Sequence, residues 1–216
     1  MAELNENGRK LTVKIVYYGP AMSGKTTNLI HLHNVVNPVA CGELMSIETK
    51  GDRTLFFDLL PLGVKTKNRF TILFKLFTVP GQVAHDATRK TVLSRADGVV
   101  FVADSRVSQA MNNMESFENL EKNIRRLGMD FDRLPLIIQF NKRDLTDIEP
   151  EEKILELWEQ TGIPVNFATA LHGRGVLESF KEILTRSYRY LNSVYWLDEK
   201  YGVVEEDFLG VLSGVR

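Results

Sequence analysis

The sequence predicts an α/β fold, a three-layer α/β/α sandwich around a six-stranded mixed sheet, on three observations. Its 216 residues, at about 150 per domain, fit one core with at most an appendage. Short apolar, β-branched runs alternate with longer stretches of helical period, as in β-α-β units. Two successive runs are joined by a link too short for a parallel crossover. In chain order the expected strands are Leu11 to Tyr18, Leu55 to Leu60, Phe70 to Thr78, Gly98 to Ala103, Leu136 to Phe140 and Val165 to Ala168. The second and third flank the short link, which contains Gly63, and should pair antiparallel; the rest should be parallel. A helix starts near Lys25. Met114, Phe117, Leu120, Ile124 and Leu127 fall on one helical face, as do Val176, Phe180, Ile183, Leu184, Ser187 and Leu191. Glu149, Glu151 and Glu152 around Pro150 read as a helix start that complements the dipole. Residues 1–192 are expected to form the domain and 193–216 a C-terminal appendage, either packed back on the domain or exposed as a docking peptide.

Composition excludes several classes. With 44% hydrophobic and 25% charged residues the chain is ordinary globular material, neither disordered nor collagen-like. A formal net charge of -1 gives no whole-chain reason to bind nucleic acid or an anionic membrane. The longest apolar stretches, such as Val99 to Ala103, are far short of the roughly 20 residues of a spanning helix. Met1-Ala2-Glu3-Leu4 opens without a secretory pattern, so a cytoplasmic location is expected. Ala2 forbids myristoylation, and the C-terminal Ser213-Gly214-Val215-Arg216 lacks a prenylation cysteine, so no lipid anchor is expected. The single Cys41 makes no disulfide within the chain. Beyond Ser193, five acids stand against two bases, the wrong sign for an anionic-lipid anchor.

Chemistry concentrates in a few segments. Gly19-Pro20-Ala21-Met22-Ser23-Gly24-Lys25-Thr26, between the first strand and the first helix, satisfies G-x-x-x-x-G-K-[ST] at every fixed position. Such a loop aims backbone N–H groups and a helix N-terminus at phosphates. Gly24 permits close backbone approach, Lys25 contacts the β- and γ-phosphates, and the Thr26 hydroxyl ligates Mg²⁺. After the fifth strand stands Asn141-Lys142-Arg143-Asp144. The Asp144 carboxylate can accept two hydrogen bonds from guanine N1–H and N2–H₂, which adenine cannot offer, while the Lys142 stem lies over the base. Thr169-Ala170-Leu171 follows the sixth strand, where Ala170 can offer an N–H to guanine O6. Thr78-Val79-Pro80-Gly81-Gln82 stands where a GTPase usually has D-x-x-G-Q. Gly81 can supply the N–H that senses the γ-phosphate and Gln82 can orient the attacking water, but Thr78 replaces the acid that supports Mg²⁺. In Gly51 to Asp58, Thr54 is the switch threonine, Asp58 a candidate substitute acid, and Arg53 a candidate built-in arginine finger or a solvated loop charge.

On these residues, together with Tyr17-Tyr18-Gly19-Pro20, Thr27-Asn28-Leu29, Leu60-Pro61 and Val99-Val100-Phe101-Val102-Ala103-Asp104-Ser105, the chain resembles the MglA-type bacterial Ras-like small GTPases from about Lys14 to Leu191. The resemblance implies the small-GTPase P-loop fold, GTP and GDP as ligands, Mg²⁺ held by Thr26 and Thr54 with Asp58 behind it, and nucleotide contacts from Gly19, Ala21, Met22, Ser23, Gly24, Lys25, Thr26, Thr27, Thr54, Gly81, Asn141, Lys142, Asp144, Thr169, Ala170 and Leu171. It makes Arg53 and Gln82 the catalytic residues, and Thr78 a hallmark of the group. It also implies slow intrinsic hydrolysis, stimulated by a homodimeric roadblock-type activating partner that donates no arginine. Downstream polarity or motility effectors, recruitment to cell poles by partners, and a monomer in isolation complete what it implies. The moving parts would be about Val36 to Phe57 and Gln82 to Leu93.

Ala21 crowds the place where Gln82 and an arginine finger meet, so intrinsic hydrolysis is expected to be slower than in Ala21→Gly. A second reading makes the chain a nucleotide-dependent scaffold that binds GTP with little hydrolysis, on the strength of Thr78 and Ala21; Gln82 and Arg53 argue against it. A P-loop kinase leaves Asn141 to Asp144 unexplained. His31 and His33 face different sides of a helix, and His85 and His172 lack Cys or His companions, so no zinc site is expected.

Overall fold

In β2 (Lys10–Tyr18), Leu11, Val13, Ile15 and Tyr17 point to one side of a sheet while Val16 and Tyr18 point to the other, and all six are buried. That two-sided burial places β2 at the centre of the sheet, with helices on both faces. The computed structural model describes residues 2–49, 55–81 and 86–214. Around β2 the strands are β1 (Glu3–Asn5), β3 (Met45–Thr49), β4 (Leu55–Lys65), β5 (Thr71–Thr78), β6 (Gly98–Asp104), β7 (Leu136–Asn141) and β8 (Val165–Phe167). The helices are α1 (Lys25–Val35), α2 (Asp86–Leu93), α3 (Ala110–Arg126), α4 (Glu151–Glu159), α5 (Val176–Tyr195), α6 (Leu197–Tyr201) and α7 (Glu205–Leu209).

One sheet runs β3-β4-β5-β2-β6-β7-β8, with β1 paired to β2. The pairs from β5 through β8 are parallel, and β4 lies antiparallel to both β3 and β5. The mixed α/β sandwich is therefore as expected, with eight strands among the described residues where the sequence suggested six. β1 covers Lys10–Thr12, the part of β2 that β6, paired only from Ile15, does not reach. Gly63 is not in a link: it sits inside β4 opposite Leu73. The turn lies further on, where Thr66 and Phe70 exchange hydrogen bonds and Arg69 takes a left-handed φ of 61°. Pro61 is tolerated within β4 because its carbonyl accepts from Gly42 N–H on the outer side. Its missing N–H faces that same edge and not β5.

Each face of the sheet has its own core. On one, Leu29 and Leu32 of α1 and Phe180, Ile183, Leu184 and Leu191 of α5 pack on β2, β4 and β5. On the other, Leu120 and Ile124 of α3 and Ile154 of α4 pack on β6 and β7. The C-terminal segment joins the first core: Leu197, Val203, Phe208 and Val211 are fully buried. Phe208 meets Phe74 edge-on at 5.4 Å and Tyr188 at 5.2 Å, Tyr188 Oη donates to Val203 O, and Asn68 Nδ2 donates to Gly202 O. Among the described residues no helix is long and apolar enough to cross a membrane.

Candidate functional site

Every sequence segment singled out for chemistry, where described, lies at the carboxyl end of a parallel strand or at the adjoining start of β4. In an open α/β sheet this is where strand order reverses and ligands are received. The loop after β2 depends on two glycines. Gly19 has φ 144° and a Cβ there would fall 2.2 Å from Val102 O; Gly24 has φ 101° and a Cβ would fall 2.2 Å from Asn141 Nδ2. A side chain at either place would need both strained backbone and displaced neighbours. Met22 is left-handed and exposed. Ser23 Oγ is buried with no hydrogen-bond partner, a polar atom left free inside the loop. α1 starts at Lys25 with no side-chain cap, so its first N–H groups remain available. Thr27 is half-buried in that first turn.

The Lys25 ammonium is enclosed and donates to Gly19 O at 3.0 Å and Pro20 O at 2.6 Å. Burial lowers its pKa to about 7, with Arg89 adding to the shift and Asp58 opposing it. A buried cation so poorly compensated is a strong receptor for an anion.

The candidate substitute acid, Asp58, lies across the strand ladder from Thr78. Asp58 on β4 lies one step beyond the Leu59–Phe77 pair, next to Thr78 at the end of β5, and both are buried. Thr78 Oγ1 donates to Asp58 Oδ2 at 2.9 Å and accepts from Asp58 N–H at 2.9 Å. Thr26 Oγ1 donates to the same Oδ2 at 2.6 Å, and Ser46 Oγ of β3 donates to Oδ1 at 2.7 Å. One carboxylate thus holds the hydroxyl of the phosphate-loop threonine. This hard-oxygen arrangement, one acid plus hydroxyl, suits Mg²⁺, which takes one or two carboxylates and completes its shell with phosphates and waters. Among the described residues no cluster of three His, Cys, Asp or Glu that could hold a metal is present.

The segment Asn141 to Asp144 is bound to the phosphate loop through Asn141. Its Nδ2 donates to Ser23 O and its Oδ1 accepts from Ala170 N–H, each at 2.8 Å. Thr169 and Ala170 are buried while Leu171 is largely exposed. Lys142, left-handed at φ 69°, reaches back to Asp104 Oδ2 at 2.7 Å. Asp104 also takes Arg106 Nη2 at 2.7 Å. Burial pushes the Asp104 carboxyl up, but the bonds from Arg106 and Lys142 outweigh it and hold the pKa below the ordinary value. Asp144 is exposed beside this lysine. Gly81 packs so closely on the phosphate loop that a Cβ would lie 2.2 Å from Ala21 Cα.

Arg53, Thr54 and Gln82 lie outside the described residues. Ser46, Asp104 as the anchor of Lys142, and Arg89 were not anticipated. Ser46 and Asp104 carry no signal without strand pairing. Arg89 did carry one: with Val92 and Leu93 it occupies the inward i, i+3, i+4 stripe of α2, where a charge demands a partner.

No family model matches the chain. It is 44% identical over 183 residues, 85% of its length, to the mutual gliding-motility protein MglA of Myxococcus xanthus (strain DK1622), 94% of which is covered. It is 24% identical over 192 residues, 88% of its length, to the Ras-related protein Rab-5B of Plasmodium falciparum (isolate 3D7), 85% of which is covered.

Proposed function

Because the chain belongs to the MglA-type Ras-like small GTPases and is a GTP-hydrolysing enzyme, we propose that it is a molecular switch governing cell polarity or gliding motility. The observation that carries the guanine-nucleotide reading is Asn141, whose side chain joins the base-reading segment to Ser23 O of the phosphate loop. A nucleotide spanning the two would find phosphate donors and base acceptors at fixed separation. Gly19 to Thr27 cradle the phosphates, Lys25 faces the β- and γ-oxygens, and Gly81 N–H meets the γ-phosphate. Asp144 reads guanine, Lys142 covers its plane, and Ala170 N–H faces its O6.

Thr26 and Thr54 hold Mg²⁺, with Asp58 behind Thr26. The ion, when bound, neutralises charge on the phosphates during transfer. Gln82 orients the attacking water and Arg53 stabilises charge on the γ-phosphate from within the same chain. A homodimeric roadblock-type partner, supplying no arginine, settles both residues and accelerates hydrolysis. The GTP-bound form engages downstream effectors and is brought to cell poles by partners, as a monomer.

Turnover of GTP and ATP by the purified chain with Mg²⁺, with and without such a partner, tests this. GTP turnover that the partner stimulates, and that drops in Arg53→Ala and Gln82→Ala, is the expected result. Equal use of ATP removes the guanine assignment, and tight GTP binding with no turnover in either condition leaves a scaffold.

A further inference from the structure

Arg89 of α2 is the largest fully buried side chain among the described residues. A buried guanidinium persists only where its donors are matched. Nε donates to Pro80 O at 2.9 Å, Nη2 donates to Gly81 O, and Nη1 donates to Asn119 Oδ1 at 3.0 Å. Its central carbon lies 5.2 Å from the centre of the Tyr18 ring, immediately before the phosphate loop. Asn119 is itself oriented from α3: its Oδ1 accepts from Tyr18 Oη at 2.5 Å and its Nδ2 donates to Asp86 Oδ1 at 3.2 Å. Asn123, one turn on, donates to Asp86 Oδ1 at 2.7 Å and to Asn119 Oδ1 at 3.1 Å.

The two carbonyls that Arg89 grips belong to consecutive peptide units on either side of the Gly81 Cα. A trans peptide carries its C=O and N–H on opposite sides. Holding Pro80 O therefore turns Gly81 N–H away from Arg89, and Gly81 is the residue that lies against Ala21 of the phosphate loop. Glycine has no side chain to fix this orientation by packing, and its backbone is the freest of any residue. The grip of the guanidinium supplies what the residue itself lacks.

We propose that Arg89, oriented by Asn119, is a positioning residue for recognition of the nucleoside triphosphate. It sets the peptide plane through which Gly81 N–H meets a γ-phosphate, without touching the nucleotide. This rests on the reading of Gly81 given above. A merely structural arginine would support GDP and GTP binding alike, whereas this one acts only where a third phosphate is present.

The test is binding of fluorescent GDP and of guanosine imidotriphosphate, a non-hydrolysable GTP analogue, to the full chain with Mg²⁺. Wild type, Arg89→Lys and Asn119→Ala are compared. In both variants the GDP Kd should stay within about twofold, while the analogue Kd rises about tenfold, as for loss of one hydrogen bond to a charged group. Should Arg89→Lys fail to fold, Asn119→Ala, which removes only the half-buried orienting amide, decides alone. GDP and analogue affinities that fall together overturn the proposal, as do affinities that both stay unchanged. A wild-type chain that binds neither guanine nucleotide overturns the switch reading and this inference with it. A wild-type chain that binds both, with variants unaltered, overturns this inference alone.

Discussion

Thr78→Asp restores the acid that most GTPases carry at this place, and the structure says that it should harm the protein. Asp58 Oδ2 is 2.9 Å from Thr78 Oγ1, so a carboxylate built at position 78 stands roughly 4 Å or less from one that is already buried. At an effective dielectric of about 20, two charges 4 Å apart repel by about 4 kcal/mol. The bond that Thr78 donates to Asp58 is lost as well, which adds about 2 kcal/mol. The sum of roughly 6 kcal/mol is a large part of the 5–15 kcal/mol that holds a domain together. At about 2–4 °C per kcal/mol for a chain of this size, the melting temperature should fall by about 15 °C. Thermal unfolding is best followed with divalent cations chelated, since an ion between the two carboxylates would screen them. Asp58→Asn in the same chain turns the repulsion into a donated hydrogen bond and should recover most of the loss. A single variant that melts within about 3 °C of wild type, or a double variant no more stable than the single, would mean that residue 78 and Asp58 do not share one buried site.

Three further outcomes follow from the site and core. With Lys25 held near a pKa of about 7 by burial, the ammonium is mostly neutral at pH 8.5, and phosphates that favour its charged form must draw a proton from solvent. GDP binding should therefore take up close to one proton at pH 8.5 and weaken as pH rises above 7; calorimetry in two buffers of unlike ionisation enthalpy reads this, and zero uptake counts against it. Asp104→Ala releases Lys142 and Arg106 and should lower guanine-nucleotide affinity about 10- to 100-fold; Asp104→Asn, which keeps an acceptor, should lose less, and unchanged binding by a folded Asp104→Ala would remove Asp104 from the site. Phe208→Ala empties a fully buried position against Phe74 and Tyr188 and should cost about 3–5 kcal/mol in denaturant unfolding; a loss below about 1 kcal/mol would mean that the segment does not share the core.

The phosphate loop and the segment Asn141 to Asp144 stand out in the sequence because each is contiguous, with its residue types at fixed spacing. Asp58 is singled out by the sequence as a candidate, but its setting is not. Its bonds to Thr26, Thr78 and Ser46 come from three other segments, and only the pairing of β4 with β3 and β5 brings them together. β1 and β3 escaped because three and five residues are too few to show a period of two. Gly63 misled because glycine commonly marks a turn, whereas the real turn gives its left-handed position to Arg69 and is closed by the Thr66 hydroxyl. For Arg89 the inward stripe of α2 signals burial but not its partners, which are mostly backbone carbonyls that every sequence has everywhere.

The burial of Leu197, Val203, Phe208 and Val211 in the same core as β4 and β5 bears on how the molecule is made. A ribosome delivers every segment proposed to face the nucleotide, from Gly19 to Leu171, before the residues that finish the floor beneath the strand bearing Asp58. A nascent chain that has emerged only as far as Leu191 carries the complete phosphate and guanine sequences, yet still shows Phe74 and Tyr188 to the solvent. Exposed apolar surface of this kind makes a folding intermediate prone to aggregate. Completion of this core thereby waits on residues remote in sequence from the phosphate loop.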